Sequence, residues 1–290
     1  MDAARSSLYA SEVPSPRRSA VVVAPRSAVS SGWAVLALSA LSLVALACGS
    51  KSAPTQGTAS AAAVASLSAA SVSAAPPAEA LTVSAKAQPA THLVVFLHGV
   101  GSNATGFSSV AGSIVDAVPH ADVAVLEGLH PFEDAQSGRQ WFSMHGLTDE
   151  NRGARIREAG EEVSRVLDGE LEKRRLGGDK LVLVGFSQGA MVSAWLAVHR
   201  SPRPAAVVLL SGRVVLSDAP ASPGSGPPVF IGHGDRDRVL PVEEVEPGAR
   251  TLEAWGAKVT TRVYPGLDHH VDPKELGDVR DFLRPIVEGS

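Results

Sequence analysis

The chain has 290 residues, enough for one or two domains, and is 44% hydrophobic with only 4% aromatic residues. Its 26 Lys and Arg are offset by 30 Asp and Glu, a formal net charge of −4, so no basic face points to nucleic acid as a partner. The only cysteine is Cys48, which excludes an intrachain disulfide.

The chain opens on Arg17, Arg18 and Arg26 ahead of an uncharged apolar run from Trp33 to Ala47. A membrane span needs about 20 residues, and this run has instead the length of a signal-peptide core. It ends in Val44-Ala45-Leu46-Ala47-Cys48-Gly49-Ser50, which resembles a bacterial lipobox. Residues 1–47 are therefore expected to be a lipoprotein signal peptide and Cys48 its lipidation site. Ordinary cleavage near Ala47 and an uncleaved anchor helix stay open as alternatives. Gly49 after the cysteine resembles lipoproteins sent to the outer membrane. The expected location is the bacterial cell envelope, lipid-anchored, or else secreted. Residues 48–89 are rich in Ala, Ser and Pro, without helical or strand period. They bury too little to offset their ordering entropy and read as a disordered tether. A coil of about 40 residues would reach roughly 30–40 Å.

Residues 90–290 alternate strands and helices. Leu93 to Leu97 and Val123 to Leu126 are predicted strands, with a helix from Phe107 to Val118 between them. Arg155 to Leu176 reads as an amphipathic helix, with Ile156, Ala159, Val163, Val166, Leu167 and Leu171 on one face. Leu181 to Val184 is a strand, and Ala190 to Arg200 a helix. Ala206 to Leu210, Val229 to Ile231 and Val259 to Tyr264 are further strands. Pro241 to Trp255 is mostly helix. Asp272-Pro273-Lys274-Glu275 opens a last helix, with an acidic cap, proline in the first turn and a buried stripe of Leu276, Val279, Phe282 and Leu283. Short continuous apolar strands between helices imply a mostly parallel sheet covered on both faces. Ligands of such sheets sit at the carboxyl ends of the strands.

Those ends carry the chemistry. Gly185-Phe186-Ser187-Gln188-Gly189 stands between a strand and a helix, the context of a nucleophile elbow. Glycines on both sides relieve collisions around a strained serine. The Gln188 N–H, at the helix start, faces any oxyanion formed beside Ser187, and the Val100 N–H in His98-Gly99-Val100-Gly101 is the natural second donor. The His98 imidazole itself reads as structural. An acid and a histidine follow the serine, in Asp235-Arg236-Asp237 and Asp268-His269-His270. A serine hydroxyl needs an imidazole base, and the imidazole needs a carboxylate to fix its tautomer. Arg236 and Arg238 argue against a calcium loop at Asp235, and adjacent histidines point apart, so no metal and no cofactor are expected.

The set Leu97-His98-Gly99-Val100-Gly101, Gly185-Phe186-Ser187-Gln188-Gly189-Ala190, His233-Gly234-Asp235-Arg236-Asp237-Arg238-Val239-Leu240-Pro241 and Tyr264-Pro265-Gly266-Leu267-Asp268-His269 resembles the phospholipase/carboxylesterase family of α/β-hydrolases. The resemblance implies an α/β-hydrolase fold with Ser187 as nucleophile, Asp237 as acid and His269 as base. It also sets Trp141 and Phe142, in Arg139-Gln140-Trp141-Phe142, beside the acyl site as substrate-binding residues. Ser143 stands where the family often has Asp, Asp268 where it usually has Gly, and His270 duplicates the base. The segment from Ser211 to Pro228 is too short and too rich in Pro, Gly and Ser to hold a helical lid. The expected activity is hydrolysis of short to medium carboxylic esters or thioesters at an open site, with a small-molecule ester as substrate. An acyltransferase, a polyester or acetyl-glycan depolymerase, and a non-catalytic envelope lipoprotein are the alternatives. Nothing in the sequence sets the oligomeric state.

Overall fold

The structure, a computed structural model, describes residues 80–216 and 224–289. Cys48, the apolar run and the rest of the segment before residue 80 lie outside them.

In chain order the strands are β1 (Ala80–Val83), β2 (His92–Leu97), β3 (Ala121–Leu126), the two-residue β4 (His130–Pro131) and β5 (Arg139–Gln140), β6 (Leu181–Phe186), β7 (Ala206–Leu210), β8 (Pro228–Gly234) and β9 (Lys258–Tyr264). The helices are α1 (Ala104–Gly112), α2 (Asp149–Arg174), α3 (Gln188–His199), α4 (Val245–Ala254) and α5 (Pro273–Glu288). Seven strands form one sheet in the order β1-β3-β2-β6-β7-β8-β9, parallel except for the antiparallel edge β1. The expected α/β-hydrolase architecture is thus present. Among the described residues no helix intervenes between β7 and β8, as expected of a chain without a lid.

The unbroken apolar runs of the central strands follow from burial on both faces. Along β2, Leu93, Val95 and Leu97 face α2, α3 and α4, while Val94 and Phe96 face α1 and α5. β2 pairs with β3 on one side and β6 on the other, so strand order reverses between β2 and β6. A crevice at the carboxyl ends is forced where crossovers diverge in this way. The His98 loop and Ser187 leave from those two strands.

Boundaries differ from expectation for local reasons. Ala80–Val83 already pair in the sheet, ahead of residue 90. The last ten residues of the expected tether include β1, and the Ala85 N–H donates to Asp122 Oδ1 at 2.8 Å. α2 starts six residues early because Thr148 and Asn151 form a reciprocal cap. α1 begins at Ala104 because the Asn103 side chain accepts from the Gly106 N–H at 2.7 Å.

One buried acid in the α5–β8 contact lacks a partner. Glu275 is fully buried, and neither carboxyl oxygen accepts a hydrogen bond. Burial, with Asp272 and Asp278 nearby, pushes its carboxyl up to about 8. The native state therefore holds this proton where the unfolded chain has released it. Stability falls as pH rises from the ordinary carboxylate range to about 8. Glu275→Gln, which cannot ionise, should be more stable than wild type near neutral pH. Its advantage in urea midpoint should grow between about pH 5 and pH 8, the range over which the wild-type carboxyl resists ionisation. A constant difference across that range would contradict the assignment.

Candidate active site

β6 ends at Phe186 and α3 begins at Gln188, leaving Ser187 alone in the turn with φ 53° and ψ −114°. A non-glycine residue with positive φ is strained and must be held by its surroundings. The Ser187 N–H donates to the Leu210 carbonyl of β7 at 2.9 Å, and its own carbonyl accepts from Ala190 and Met191. The flanking glycines are needed for clearance. A Cβ on Gly185 would lie 2.5 Å from the Gly189 carbonyl oxygen, and one on Gly189 would lie 2.1 Å from that of Leu97.

His269 reaches this serine from the loop after β9. Its Nε2 lies 2.9 Å from Ser187 Oγ and its Nδ1 lies 2.7 Å from Asp237 Oδ2. With a carboxylate as the acceptor, Nδ1 carries the proton and Nε2 is left to accept from the serine hydroxyl. Phe186 packs against the imidazole, ring centroids 5.1 Å apart, and stacks in turn on Phe107.

Asp237 is set by its backbone neighbours. Its Oδ1 accepts from the N–H groups of Val239 and Leu240, both at 2.9 Å. Burial would raise this carboxyl, but the hydrogen bonds from His269 and the two N–H groups outweigh it and hold it below the usual carboxylate range. It therefore stays ionised into mild acid, and its bond to His269 is lost only as pH falls through that lowered value. Beneath it, His233 Nε2 donates to the Leu240 carbonyl at 2.8 Å.

Asp235, the rival acid, has a different task. Its Oδ1 accepts from the Gly266 N–H at 2.6 Å, while the Arg236 N–H donates to the Leu267 carbonyl at 2.9 Å. These bonds tie the acid loop to the histidine loop. His270 is paired with Asp268; its side chain is 58% exposed, against 17% for His269. The two departures at 268 and 270 thus satisfy each other.

The loop after β2 is built in layers. His98 Nδ1 donates to the Gly99 carbonyl at 2.8 Å and Nε2 accepts from the Gly128 N–H at 3.1 Å. That pattern needs a neutral ring, and burial lowers its pKa accordingly. The imidazole is structural, as expected. The Trp141 indole N–H donates to the His98 carbonyl at 2.7 Å, and the Gly101 N–H donates to the Arg139 carbonyl at 2.8 Å. Neither the Val100 N–H nor the Gln188 N–H is engaged by an acceptor among the described residues. The Gln188 N–H belongs to the first turn of α3, whose donors lack intrahelical partners.

Trp141 and Phe142 are present beside this loop but buried, Trp141 only 1% exposed. Their contribution is a clamp that sequence reasoning missed. The Gln188 side chain accepts from the Trp141 N–H at 2.8 Å and donates to the Phe142 carbonyl at 2.8 Å. The residue after the serine therefore holds this segment by its side chain and faces the crevice with its backbone. Glutamine's paired donor and acceptor was the available signal, though nothing in the spacing named its partners.

Residues 78–287 match the family described as phospholipase/carboxylesterase. Esterase YpfH of Escherichia coli is 26% identical over 200 residues, covering 69% of this chain and 85% of its own. An acyl-protein thioesterase 1 of Kluyveromyces lactis is 26% identical over 228 residues, covering 73% of this chain and 99% of its own. Among solved structures, esterase PE8 superposes with a TM-score of 0.67 at 28% identity, over 73% of this chain and all of its own. A Bacillus cereus carboxylesterase, at 20% identity and a TM-score of 0.62 over 72% of this chain and 94% of its own, shares the fold.

The clamp predicts a stability effect separate from chemistry. Gln188→Met keeps the volume but leaves a buried N–H and a buried C=O unsatisfied, each costing about 1–3 kcal/mol. The urea midpoint should fall with little change in slope. An unshifted midpoint would mean that the clamp does not hold the segment.

Proposed function

The chain belongs to the phospholipase/carboxylesterase family, and from that premise we propose that it cleaves short to medium carboxylic esters or thioesters through an acyl-enzyme on Ser187. It is a serine hydrolase of the ester-cleaving class. The observation that carries the residue assignment is the imidazole of His269, bonded on one side to Asp237 and on the other to Ser187.

The chemistry follows from that chain. Ser187 Oγ attacks the acyl carbon as its proton moves to His269 Nε2. Asp237 stabilises the resulting imidazolium and keeps the ring in register. The carbonyl oxygen becomes an oxyanion facing the N–H groups of Val100 and Gln188. Losing one such donor typically costs about 2.7–4 kcal/mol of transition-state stabilisation. As the intermediate collapses, the C–O or C–S bond breaks and His269 gives its proton to the leaving group. Water then enters, loses a proton to His269 and attacks the acyl carbon. Collapse releases the acid and restores the serine. Trp141 and Phe142 support the oxyanion side of this site through their bonds to His98 and Gln188. The short β7–β8 connection, without a helix among its described residues, fits an open site for modest acyl chains.

The same proposal includes the envelope location. The apolar run and Val44 to Ser50 support cleavage before Cys48 and lipidation there, and about 30 residues separate Cys48 from β1.

Ser187→Ala and His269→Ala should each lower kcat for a small ester by roughly 10⁴–10⁶-fold, leaving only oxyanion and binding effects. Asp237→Asn should fall in the same range, and His270→Ala should stay within a few-fold of wild type. Equal losses from His269→Ala and His270→Ala, measured with matched urea midpoints, would refute the base assignment.

For the anchor, the full chain expressed in a bacterial host should incorporate labelled palmitate and partition into detergent, while Cys48→Ser should do neither. Equal labelling of both proteins would rule lipidation at Cys48 out.

A further inference from the structure

The two oxyanion donors belong to different loops, and one short segment is bonded to both. On one side, the Arg139 carbonyl accepts from the Gly101 N–H at 2.8 Å, and the Arg139 N–H donates to the Ser102 carbonyl at 2.6 Å. These bonds grip the two residues that follow Val100. The backbones pass in contact there, since a Cβ on Gly138 would lie 2.3 Å from the Gly101 carbonyl oxygen. On the other side, the Gln188 side chain accepts from the Trp141 N–H and donates to the Phe142 carbonyl. The separation of the Val100 and Gln188 N–H groups therefore depends on how residues 139–142 are seated. Oxyanion donors stabilise charge best when they already stand where it will form.

That segment needs an anchor of its own. Its strand β5 has two residues and pairs with the equally short β4, a ladder too small to hold itself. The Arg139 side chain supplies the anchor. Its Nε donates to the Gly128 carbonyl at 2.9 Å and its Nη2 to the Leu129 carbonyl at 3.1 Å. Glu127 Oε1 lies 3.6 Å from Nε, and Glu127 Oε2 accepts from the Ala104 N–H at the start of α1 at 2.8 Å. The Gly128 N–H in turn donates to His98 Nε2. A planar fork can reach two neighbouring carbonyls at once, which the compact ammonium of a lysine cannot do in the same way.

We propose that Arg139 is a positioning residue of the oxyanion hole. Its guanidinium fixes residues 139–142 to the loop after β3, and through them sets the separation of the Val100 and Gln188 N–H groups. It acts through the backbone and takes no part in proton transfer. The proposal rests on the serine-hydrolase reading of Ser187.

The test compares the purified full chain with Arg139→Ala and Arg139→Lys on a small ester. Outright loss of an oxyanion donor costs about 10²–10³-fold in kcat, so a donor left loose in Arg139→Ala should cost about 10–100-fold, with KM within about threefold of wild type. Arg139→Lys keeps the charge beside Glu127 but not the fork, and should stay at least about fivefold below wild type in kcat. A trifluoromethyl ketone adds Ser187 Oγ to its carbonyl carbon, passes the serine proton to His269 and leaves an oxyanion facing the two donors. Its Ki should rise by about the factor lost from kcat. The acid limb of kcat/KM should not move, because the bonds among Ser187, His269 and Asp237 are untouched. The Arg139 side chain is 30% exposed, so free guanidinium can reach the gap left in Arg139→Ala. At tens of millimolar, far below its denaturing range, it should restore kcat at least about fivefold, whereas methylammonium should not. Wild-type kcat in either variant, a loss carried by KM alone, an unchanged ketone Ki, a shifted acid limb, or equal rescue by the two cations would each overturn the proposal. A wild type without ester turnover would overturn the hydrolase reading and this proposal with it; an active wild type matched by Arg139→Ala would overturn this proposal alone.

Discussion

The structure turns on the backbone of one residue. Ser187 occupies a positive-φ conformation that costs on the order of 1–3 kcal/mol, and it persists only because its neighbours leave no alternative. Gly189 lies against the Leu97 carbonyl, and Gly185 lies against the start of α3. The contact that lets the turn close therefore also brings the end of β2 to the end of β6. The loop from His98 to Gly101 and the serine are neighbours because of that packing. Strand order reverses between the same two strands, so the crevice opens where the strained turn sits.

Around that turn the polar groups are connected in chains rather than isolated pairs. Asp237 gathers two backbone N–H groups and an imidazole; Asp235 ties together the loops that carry the acid and the base. On the other side, Gln188 and the Trp141 indole fasten the 141–142 segment to the serine turn and the His98 loop. In a low-dielectric setting such networks fix geometry more firmly than their separate bonds would suggest. Glu275 is the contrast. It is equally buried and unconnected, and its carboxyl resists ionisation as a result.

Much of this was legible in the chain because the signals were local and repeated. Continuous apolar runs of three to five residues gave most of the parallel strands, and Gly185-x-Ser187-x-Gly189 gave the turn. β1 was not legible. Ala80 to Val83 is four residues long, follows an Ala- and Ser-rich stretch, and pairs as an edge with Leu81 and Val83 exposed, so it has neither buried run nor alternation. The resemblance named His269 rather than its neighbour His270, and in the structure His269 is the ring bonded to Asp237 and Ser187 while His270 pairs with Asp268. Trp141 read as a substrate-binding residue from the resemblance of its segment to the family's Trp-Phe segment; its burial against His98 is a tertiary fact.

The central claim is that Ser187 carries the acyl group, and the most direct measurement is peptide mapping of the trapped protein by mass spectrometry. The full chain is treated with a slow-deacylating activated ester, quenched in acid and digested. The account predicts one equivalent of acyl group on the peptide containing Ser187, and none on that peptide in a protein pre-treated with a serine-directed phosphonate. An acyl group found on another residue, or steady turnover with no acylated Ser187 peptide, would contradict it.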